Sequence, residues 1–472
     1  DHELRKIPAG GGSAVTLAAI DSFNSASWGA DGTIIFSQGP PSGLWRVSDS
    51  GGTPVAITKL NVGAKENRED GHFAPFILPA GQGVLFQAWS PGTRVENSVA
   101  ILPPGSDQRR LLLEGEQPLY SLDGYILYVS ARQNLLNAVP FDLKTLKATG
   151  DPIVIGHDTT TYVALSPNGT LAYEKYHEPP ERLVWLGAKG TSEPLSLPEK
   201  SYTDLRISPD GRSAALVIYK ALGVNPDVWV VDLARGTYTR LTTYRAFDRS
   251  PIWSPDGKWI VFTSDRHGPP NLYRVPAQGG EVERLTTASA IQYPSSFTAD
   301  GKHLLFSQIQ VSSQGSSVRQ PTKIMRLDLD SGKTELLLHS GANEFHPTLS
   351  PDGHSLAYVS NETGRNEIYL VSYPGLGNKR RVSVGGADGT PAWSPDGRSL
   401  YYLRHGKLMV VAVGKGSNAA LGAPRVAFEA PEVTGFDVAP DGRILAVQRT
   451  AKSERKIVVV VHWTGLLKQK TR

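Results

Sequence analysis

A chain of 472 residues is longer than one simple core serves, so its buried surface must be divided among several domains or among repeats. Its 49 basic and 45 acidic residues are scattered along the whole length, and the resulting net charge of +4 leaves no basic footprint for nucleic acid. With no cysteine there are neither disulfides nor thiolate metal sites, and 48 Gly and 34 Pro beside 39% hydrophobic residues describe a globular, turn-rich chain rather than a helical or disordered one.

The start at Asp1, with no initiator Met or signal-like segment, reads as a mature product or an excised fragment. The first elements, His2-Glu3-Leu4-Arg5-Lys6-Ile7 and Ala14-Val15-Thr16-Leu17, flank the turn Ala9-Gly10-Gly11-Gly12-Ser13 and look like the outer strands of a four-stranded unit whose inner half is missing. A tetrapeptide then recurs with an apolar strand on each side. Its full copies are Ser208-Pro209-Asp210-Gly211, Ser254-Pro255-Asp256-Gly257, Ser350-Pro351-Asp352-Gly353 and Ser394-Pro395-Asp396-Gly397. Weaker copies end at Gly32, Gly124, Gly169, Gly301 and Gly442, and a degenerate one is Pro79-Ala80-Gly81-Gln82-Gly83, which makes ten. Successive Asp positions 210, 256, 300, 352, 396 and 441 differ by 46, 44, 52, 44 and 45 residues, the length of one four-stranded propeller blade.

Asp-Gly between apolar runs is a hairpin signal, because Gly accepts positive φ and Asp satisfies nearby amides. The Pro before it ends the first strand's ladder. Asp210, Gly211, Asp256, Gly257, Asp352, Gly353, Asp396 and Gly397 are therefore read as structural turn residues. Within one unit the order is Ser250-Pro251-Ile252-Trp253, the turn, Trp259-Ile260-Val261-Phe262, Asn271-Leu272-Tyr273-Arg274-Val275, then Val282-Glu283-Arg284-Leu285: four strands and three turns. Trp28, Trp253, Phe297 and Trp393 end first strands and are expected to pack one unit against the next. Helical periodicity is absent through the repeats, so the expected class is all-β, a β-propeller of about ten blade repeats.

The last six repeats form a block. Leu183-Val184-Trp185-Leu186 and Pro194-Leu195-Ser196-Leu197 precede its first turn, while its last repeat ends at Ile457 to Val461 without an outer strand. The earlier segment is expected to supply the missing strand, which makes 182–472 a six-bladed C-terminal propeller and 1–181 a second, N-terminal set of about four blades truncated at its start. The alternative is one large ring of about ten blades closed by the same N-terminal strands. No apolar run approaches the ~18 residues that cross a bilayer, and Ile457 to Val461 is strand-sized, so no membrane insertion by this segment is expected. The runs Lys379-Arg380-Arg381 and Lys468-Gln469-Lys470 read as solvated loops.

The units resemble the TolB-type propeller repeat in their Ser-Pro-Asp-Gly turn, the apolar strand after it and the Ile/Leu-Tyr-Leu/Arg-Val strand that follows. Ordered segments carry a second resemblance: Gly43-Leu44-Trp45-Arg46-Val47, Gly51-Gly52-Thr53-Pro54-Val55, Asn168-Gly169-Thr170-Leu171-Ala172-Tyr173, Leu233-Ala234-Arg235-Gly236-Thr237 and Ser360-Asn361-Glu362-Thr363-Gly364-Arg365-Asn366-Glu367-Ile368-Tyr369. With the C-terminal Val459-Val460-Val461-His462-Trp463-Thr464-Gly465-Leu466-Leu467-Lys468, they resemble the C-terminal sensor region of bacterial transmembrane serine/threonine kinases. That resemblance implies a periplasmic or extracellular location, a tethering membrane helix and further repeats upstream, and a sensing or scaffolding role.

Kinase chemistry itself is absent from the sequence, with no His-Arg-Asp loop, no Asp-Phe-Gly and no Gly-rich loop leading to a strand Lys, and no Gly-x-Ser-x-Gly elbow marks a hydrolase. The eleven His lack metal-ligand spacing, so neither a metal nor a cofactor is expected. Residues just before each inner strand tend to face the mouth of a propeller's channel: Asp204, Asp248, Arg249, Tyr293, Glu344, His346, Asp388 and Asp437. They are the candidate ligand-binding set, suited to a protein, peptide or glycan. Asp265 and Asn361 occupy one inter-strand turn of different blades and are expected to bond turn backbone. The leading expectation is a non-catalytic binding module. Two alternatives stand beside it: a polysaccharide lyase using His346, Tyr293 and Arg249, and an assembly protein forming oligomers by strand exchange at the N-terminal half-blade.

Overall fold

Each full tetrapeptide folds as a turn locked by its own side chains. The Ser Oγ donates to the Asp Oδ1 at 2.6, 2.6, 2.5 and 2.6 Å in the turns of Asp210, Asp256, Asp352 and Asp396. The same Oδ1 accepts the N–H two residues on, from Arg212, Lys258, His354 and Arg398. The same Ser Oγ accepts the N–H five residues on, from Ser213, Trp259, Ser355 and Ser399. The serine hydroxyl, and then backbone N–H groups, hold all four carboxyls below the usual range. Gly211, Gly257, Gly353 and Gly397 close the turns at positive φ, where a side chain is strained. In the weaker copy at Gly301, Thr298 takes the serine's place with the same three bonds.

In this computed structural model the described residues are 2–468 except 40, 62–68, 70, 90–96, 131–132, 178, 188–190, 220–225, 245, 311–320 and 415–419. They form antiparallel sheets throughout, with one α-helical turn at Gly465–Lys468. The hairpin Glu3–Lys6 with Val15–Ala19 is a two-stranded sheet. Four sheets follow, over 25–56, 71–114, 116–156 and 159–177, and their first strands Ser25–Trp28, Gly71–Ile77, Glu116–Ser121 and Thr159–Leu165 neighbour one another in that order. The later first strands, Ser201–Ile207, Arg249–Trp253, Ile291–Phe297, Glu344–Leu349, Asp388–Trp393 and Val433–Val438, lie side by side in a circuit that returns to Ser201–Ile207. This circuit has six sheets and leaves the four earlier ones outside it, so a single circuit of about ten is not what the first strands form.

The sixth sheet is composite. Val433–Val438 and Ile444–Arg449 supply its inner half, while Glu181–Leu186 and Ser192–Pro194 supply its outer half, with Glu181 opposite Arg449 and Leu186 opposite Ile444. Two strands, not one, come from the earlier segment. The strand Glu454–Val460 departs from expectation more fully. It pairs not with the sixth sheet but with Leu171–His177, as the third strand of the last sheet before the circuit. The reason is the residue that follows: Trp463 is fully buried there, donating from Nε1 to Ser121 Oγ at 3.1 Å and meeting the Tyr125 ring edge-on, and Val458 and Val460 alternate into the same cluster.

The second and third strands carry most of the buried apolar residues, as in Leu216, Val217, Phe262, Leu305, Tyr358 and Tyr402, and the clusters span neighbouring sheets. Trp253, Phe297 and Trp393 pack in such clusters, whereas Trp28 is 56% exposed. Lys379 reaches Glu362 and lies over the Tyr369 ring, Arg380–Arg381 is a short outer strand rather than a loop, and Gln469 and Lys470 of the tail are outside the described residues. Among the described residues no helix is long and apolar enough to cross a membrane.

Because Trp463 fills a core and the turn serines only bond, their removal should differ in cost. Trp463→Ala is expected to lose about 3–5 kcal/mol from the sheets it packs on, and Ser350→Ala about 1 kcal/mol. Denaturant unfolding of the two variants checks the ranking, and equal losses would contradict it.

Candidate binding site at the mouth of the circuit

Every first strand of the circuit carries an irregularity in its register, between Thr203 and Arg206, Arg249 and Ile252, Pro294 and Ser296, Phe345 and Thr348, Asp388 and Ala392, and Val433 and Gly435. Such bulges turn a side chain off the pleat and toward whatever the strand borders. Asp204, Ser250 and His346 stand at these bulges with φ of 54°, and Gly389 with φ of 75°. A left-handed conformation at a residue with a side chain costs on the order of 1–2 kcal/mol. Bonds from one sheet to the next hold it in place: Ser250 N–H donates to Asp204 Oδ2 at 2.9 Å, His346 N–H to Ser307 Oγ at 3.1 Å and Ile207 N–H to Asp437 Oδ2 at 2.7 Å.

The bulged segments surround a cavity of about 220 Å³. Asp204, Tyr293, His346 and Asp388 of the candidate set line it, with Arg206, Ser250, Thr390 and Thr434. Asp204 and Asp388 each already accept a backbone N–H, the latter from His405 at 2.7 Å. Arg206 donates to the carbonyl of Leu205 at 2.8 Å and, among the described residues, stands in no contact ion pair, although its charge acts on the buried Asp437 carboxyl and lowers its pKa against the effect of burial. Burial first, and the Arg206 charge second, push the His346 imidazole down to about 4, so it is neutral at physiological pH.

The other four candidates lie elsewhere. Asp248 is fully buried and held by Arg266 at 3.0 and 3.1 Å, a guanidinium itself stacked over Tyr244, Phe262 and Tyr273. Glu344 is fully buried and accepts from Ser340 N–H at 3.1 Å and from the Ser340 hydroxyl. Asp437 caps the Ile207 and Val438 amides, and burial raises its pKa. Arg249 packs on the Phe247 ring at 5.4 Å and is not among the residues lining the cavity that His346 and Tyr293 share. Among the described residues no three His, Asp or Glu side chains stand close enough together to hold a metal ion. Asp265 and Asn361 each accept an N–H from the loop entering the same sheet, from Phe247 at 2.8 Å and Asn343 at 2.9 Å, and burial raises Asp265 to about 6.

Sequence reasoning missed Arg206. It sits two residues before its turn serine, where the sister repeats have Ile252, Ser296, Thr348, Ala392 and Asp437, so no recurrence marks it.

The family model described as PD40, TolB beta propeller domain, matches residues 124–345 and 317–471. The chain belongs to this family. An uncharacterized protein of Agrobacterium fabrum is 28% identical over 288 residues, 57% of this chain and 94% of that one. The Tol-Pal system protein TolB of Francisella tularensis is 30% identical over 242 residues, 40% of this chain and 53% of the relative, so the chain spans about half the length of these TolB relatives. A solved structure of TolB from Acinetobacter baumannii has a TM-score of 0.40 and 16% identity, covering 82% of this chain and 81% of that one.

In this TolB-type propeller the His346 environment has a pH signature. Its folded pKa of about 4 is below the ordinary 6.5, so its contribution to stability is complete above pH 6.5 and is lost as pH falls toward 4. Asp265, raised from 3.8 to about 6, acts oppositely: its contribution is present below 3.8 and lost as pH rises through 6. His346→Asn keeps a residue that tolerates the left-handed backbone and removes only the first effect. The stability difference between wild type and variant should therefore shrink or reverse between pH 6.5 and 4 and stay level from 7 to 8, as read from denaturant unfolding at each pH. A difference flat across the whole range would mean that the imidazole is solvated.

Proposed function

We propose that this chain is a non-catalytic, extracytoplasmic binding module whose mouth cavity takes a carboxylate-bearing group of a peptide, protein or glycan. One observation carries the reading: Arg206 lines the cavity with no carboxylate bonded to it among the described residues, beside an imidazole that is neutral and adds a hydrogen-bonding face without a competing charge. A guanidinium in a confined, partly dry site is a strong and directional partner for a carboxylate. The volume suits one side chain or sugar-sized group, which fits recognition of an exposed tip of a larger partner better than enclosure of a whole ligand. The relatives named as Tol-Pal system proteins support a protein partner.

The ordered segments that resemble kinase sensor regions extend the proposal. On the outer side of a bacterial membrane, occupancy of the mouth is the signal, and an attached kinase domain is the recipient. The propeller supplies a rigid frame, and the specificity comes from the six bulges rather than from the fold.

A thermal-shift screen against acidic peptides, uronic-acid oligosaccharides, cell-wall fragments and divalent cations tests this. A carboxylate ligand should raise the melting temperature of the wild-type chain, since binding to the native state alone adds RT ln(1 + [L]/Kd). Arg206→Gln should weaken that ligand at least tenfold, with the unliganded melting point nearly unchanged. Shifts from cations alone, or a shift that Arg206→Gln leaves intact, would remove the basis of the reading.

A further inference from the structure

Arg206 and Asp204 stand two residues apart on the strand Ser201–Ile207 and both line the mouth cavity, yet they do not pair with each other. In a regular strand, residues two apart share a face. The bulge between Thr203 and Arg206, with Asp204 at a φ of 54°, breaks that placement. Each charge is then held by the frame instead of by the other. Asp204 Oδ2 accepts the Ser250 N–H at 2.9 Å, and the Arg206 guanidinium donates to the Leu205 carbonyl at 2.8 Å. The backbone beneath the guanidinium is pinned as well: the Trp253 indole donates to the Arg206 carbonyl at 3.0 Å, and Asp437 Oδ2 accepts the Ile207 N–H at 2.7 Å.

On another first strand, Asp388 repeats the arrangement of Asp204. Its Oδ2 accepts the His405 N–H at 2.7 Å, and among the described residues the Oδ1 of both carboxylates has no hydrogen-bond partner. The same described residues offer no third acidic or imidazole group close enough to make these carboxylates a metal site. The lining thus presents a guanidinium and two half-used carboxylates around an imidazole that is neutral at physiological pH and makes no side-chain hydrogen bond among the described residues. A ligand that brought a carboxylate alone would meet Arg206 but be repelled by Asp204 and Asp388. An ammonium on the same ligand turns that repulsion into attraction. Two residues of strand span roughly 6–7 Å, so the two ligand charges that match Arg206 and Asp204 lie only a few bonds apart.

We propose that the group taken by the mouth is an α-amino acid group, an ammonium and a carboxylate on one carbon, borne by a free amino acid or by the end of a branch on a peptide. The inference rests on the carboxylate reading above and narrows it: the carboxylate meets Arg206, the ammonium meets Asp204 and Asp388, and Tyr293, Thr390 and Thr434 border what the carbon carries. An unbranched peptide does not offer the pair, because its terminal ammonium and carboxylate lie at opposite ends.

Isothermal titration of the full chain with four probes tests this. Alanine carries both charges, N-acetylalanine the carboxylate alone, alaninamide the ammonium alone, and γ-glutamylglycine an α-amino acid group at the end of a peptide chain. Alanine or γ-glutamylglycine should bind at least tenfold more tightly than the two singly charged probes, and whichever of them binds the more tightly identifies the source of the group. Asp204→Asn keeps a residue that tolerates the left-handed backbone and an oxygen for the Ser250 N–H, so the unliganded melting temperature should hold. The α-amino acid probe should then lose at least tenfold in affinity and N-acetylalanine nothing. Asp388→Asn should give the same pattern, and it serves as the test if Asp204→Asn lowers the melting temperature. N-acetylalanine binding as tightly as alanine, with that binding lost in Arg206→Gln, would overturn the α-amino acid group and leave the carboxylate reading standing. No binding of alanine or γ-glutamylglycine overturns the inference whichever way the acidic peptides of the thermal-shift screen fall.

Discussion

The bond from a turn hydroxyl to a turn carboxylate, repeated in Ser208, Ser254, Ser350 and Ser394, is the constraint from which the rest follows. It fixes the length of the first hairpin in each unit, and so the register at which the first strand meets the second. The second and third strands are then free to be continuously apolar, because both of their faces are covered by neighbouring sheets. What remains for the first strand is the lining of the central opening. Its bulge, a few residues before the turn, is where a sheet of otherwise interchangeable parts acquires individual side chains.

The cost of that individuality is local. Three non-glycine residues in left-handed conformation around one cavity, Asp204, Ser250 and His346, are several kcal/mol of strain in sum. Hydrogen bonds between sheets, such as Ser250 to Asp204 and Ile207 to Asp437, offset it at the same positions. The carboxylates around the opening therefore each give at least one oxygen to the frame, and Arg206, whose charge favours the ionised form of the buried Asp437, makes its one hydrogen bond among the described residues to a backbone carbonyl. Buried Asp248 is paired with Arg266 and Glu69 with Arg109 and His72, while Asp265 accepts a backbone N–H and Glu367 a hydroxyl and backbone N–H groups, so each has the partner that tolerates it in a dry interior.

The turns and their period were legible in the sequence because positive φ demands Gly and the Asp two residues on from the Ser demands nothing from distant chain. A further repeated device went unread. Thr58, Thr242, Thr286 and Ser383 each accept the N–H that opens a third strand, from Leu44, Val228, Leu272 and Ile368, and the recurring Arg-Leu-Thr of 240–242 and 284–286 was its trace. The mouth was half legible. Counting from the strand start placed Asp248 and Glu344 beside Asp204 and His346, but the extra residue of each bulge shifts the face, and the first two are turned into the interior while the last two reach the opening. The destination of Glu454–Val460 was illegible for a different reason, since its alternating valines fit any open sheet edge and only the burial of Trp463 selects one.

That strand has a consequence for how the molecule is made. Leu171–His177 is synthesised well before its partner, which comes only at residue 454, after the six-sheet circuit. At about 5–20 residues per second, the edge of Leu171–His177 waits roughly 14–55 s for Glu454–Val460. For that interval Leu171 and Tyr173 face an unfinished core, and the circuit, whose own closure waits from Glu181–Leu186 to Ile444–Arg449, is open as well. Both closures wait for the neighbouring segments Ile444–Arg449 and Glu454–Val460, so the two half-paired edges are completed nearly at once.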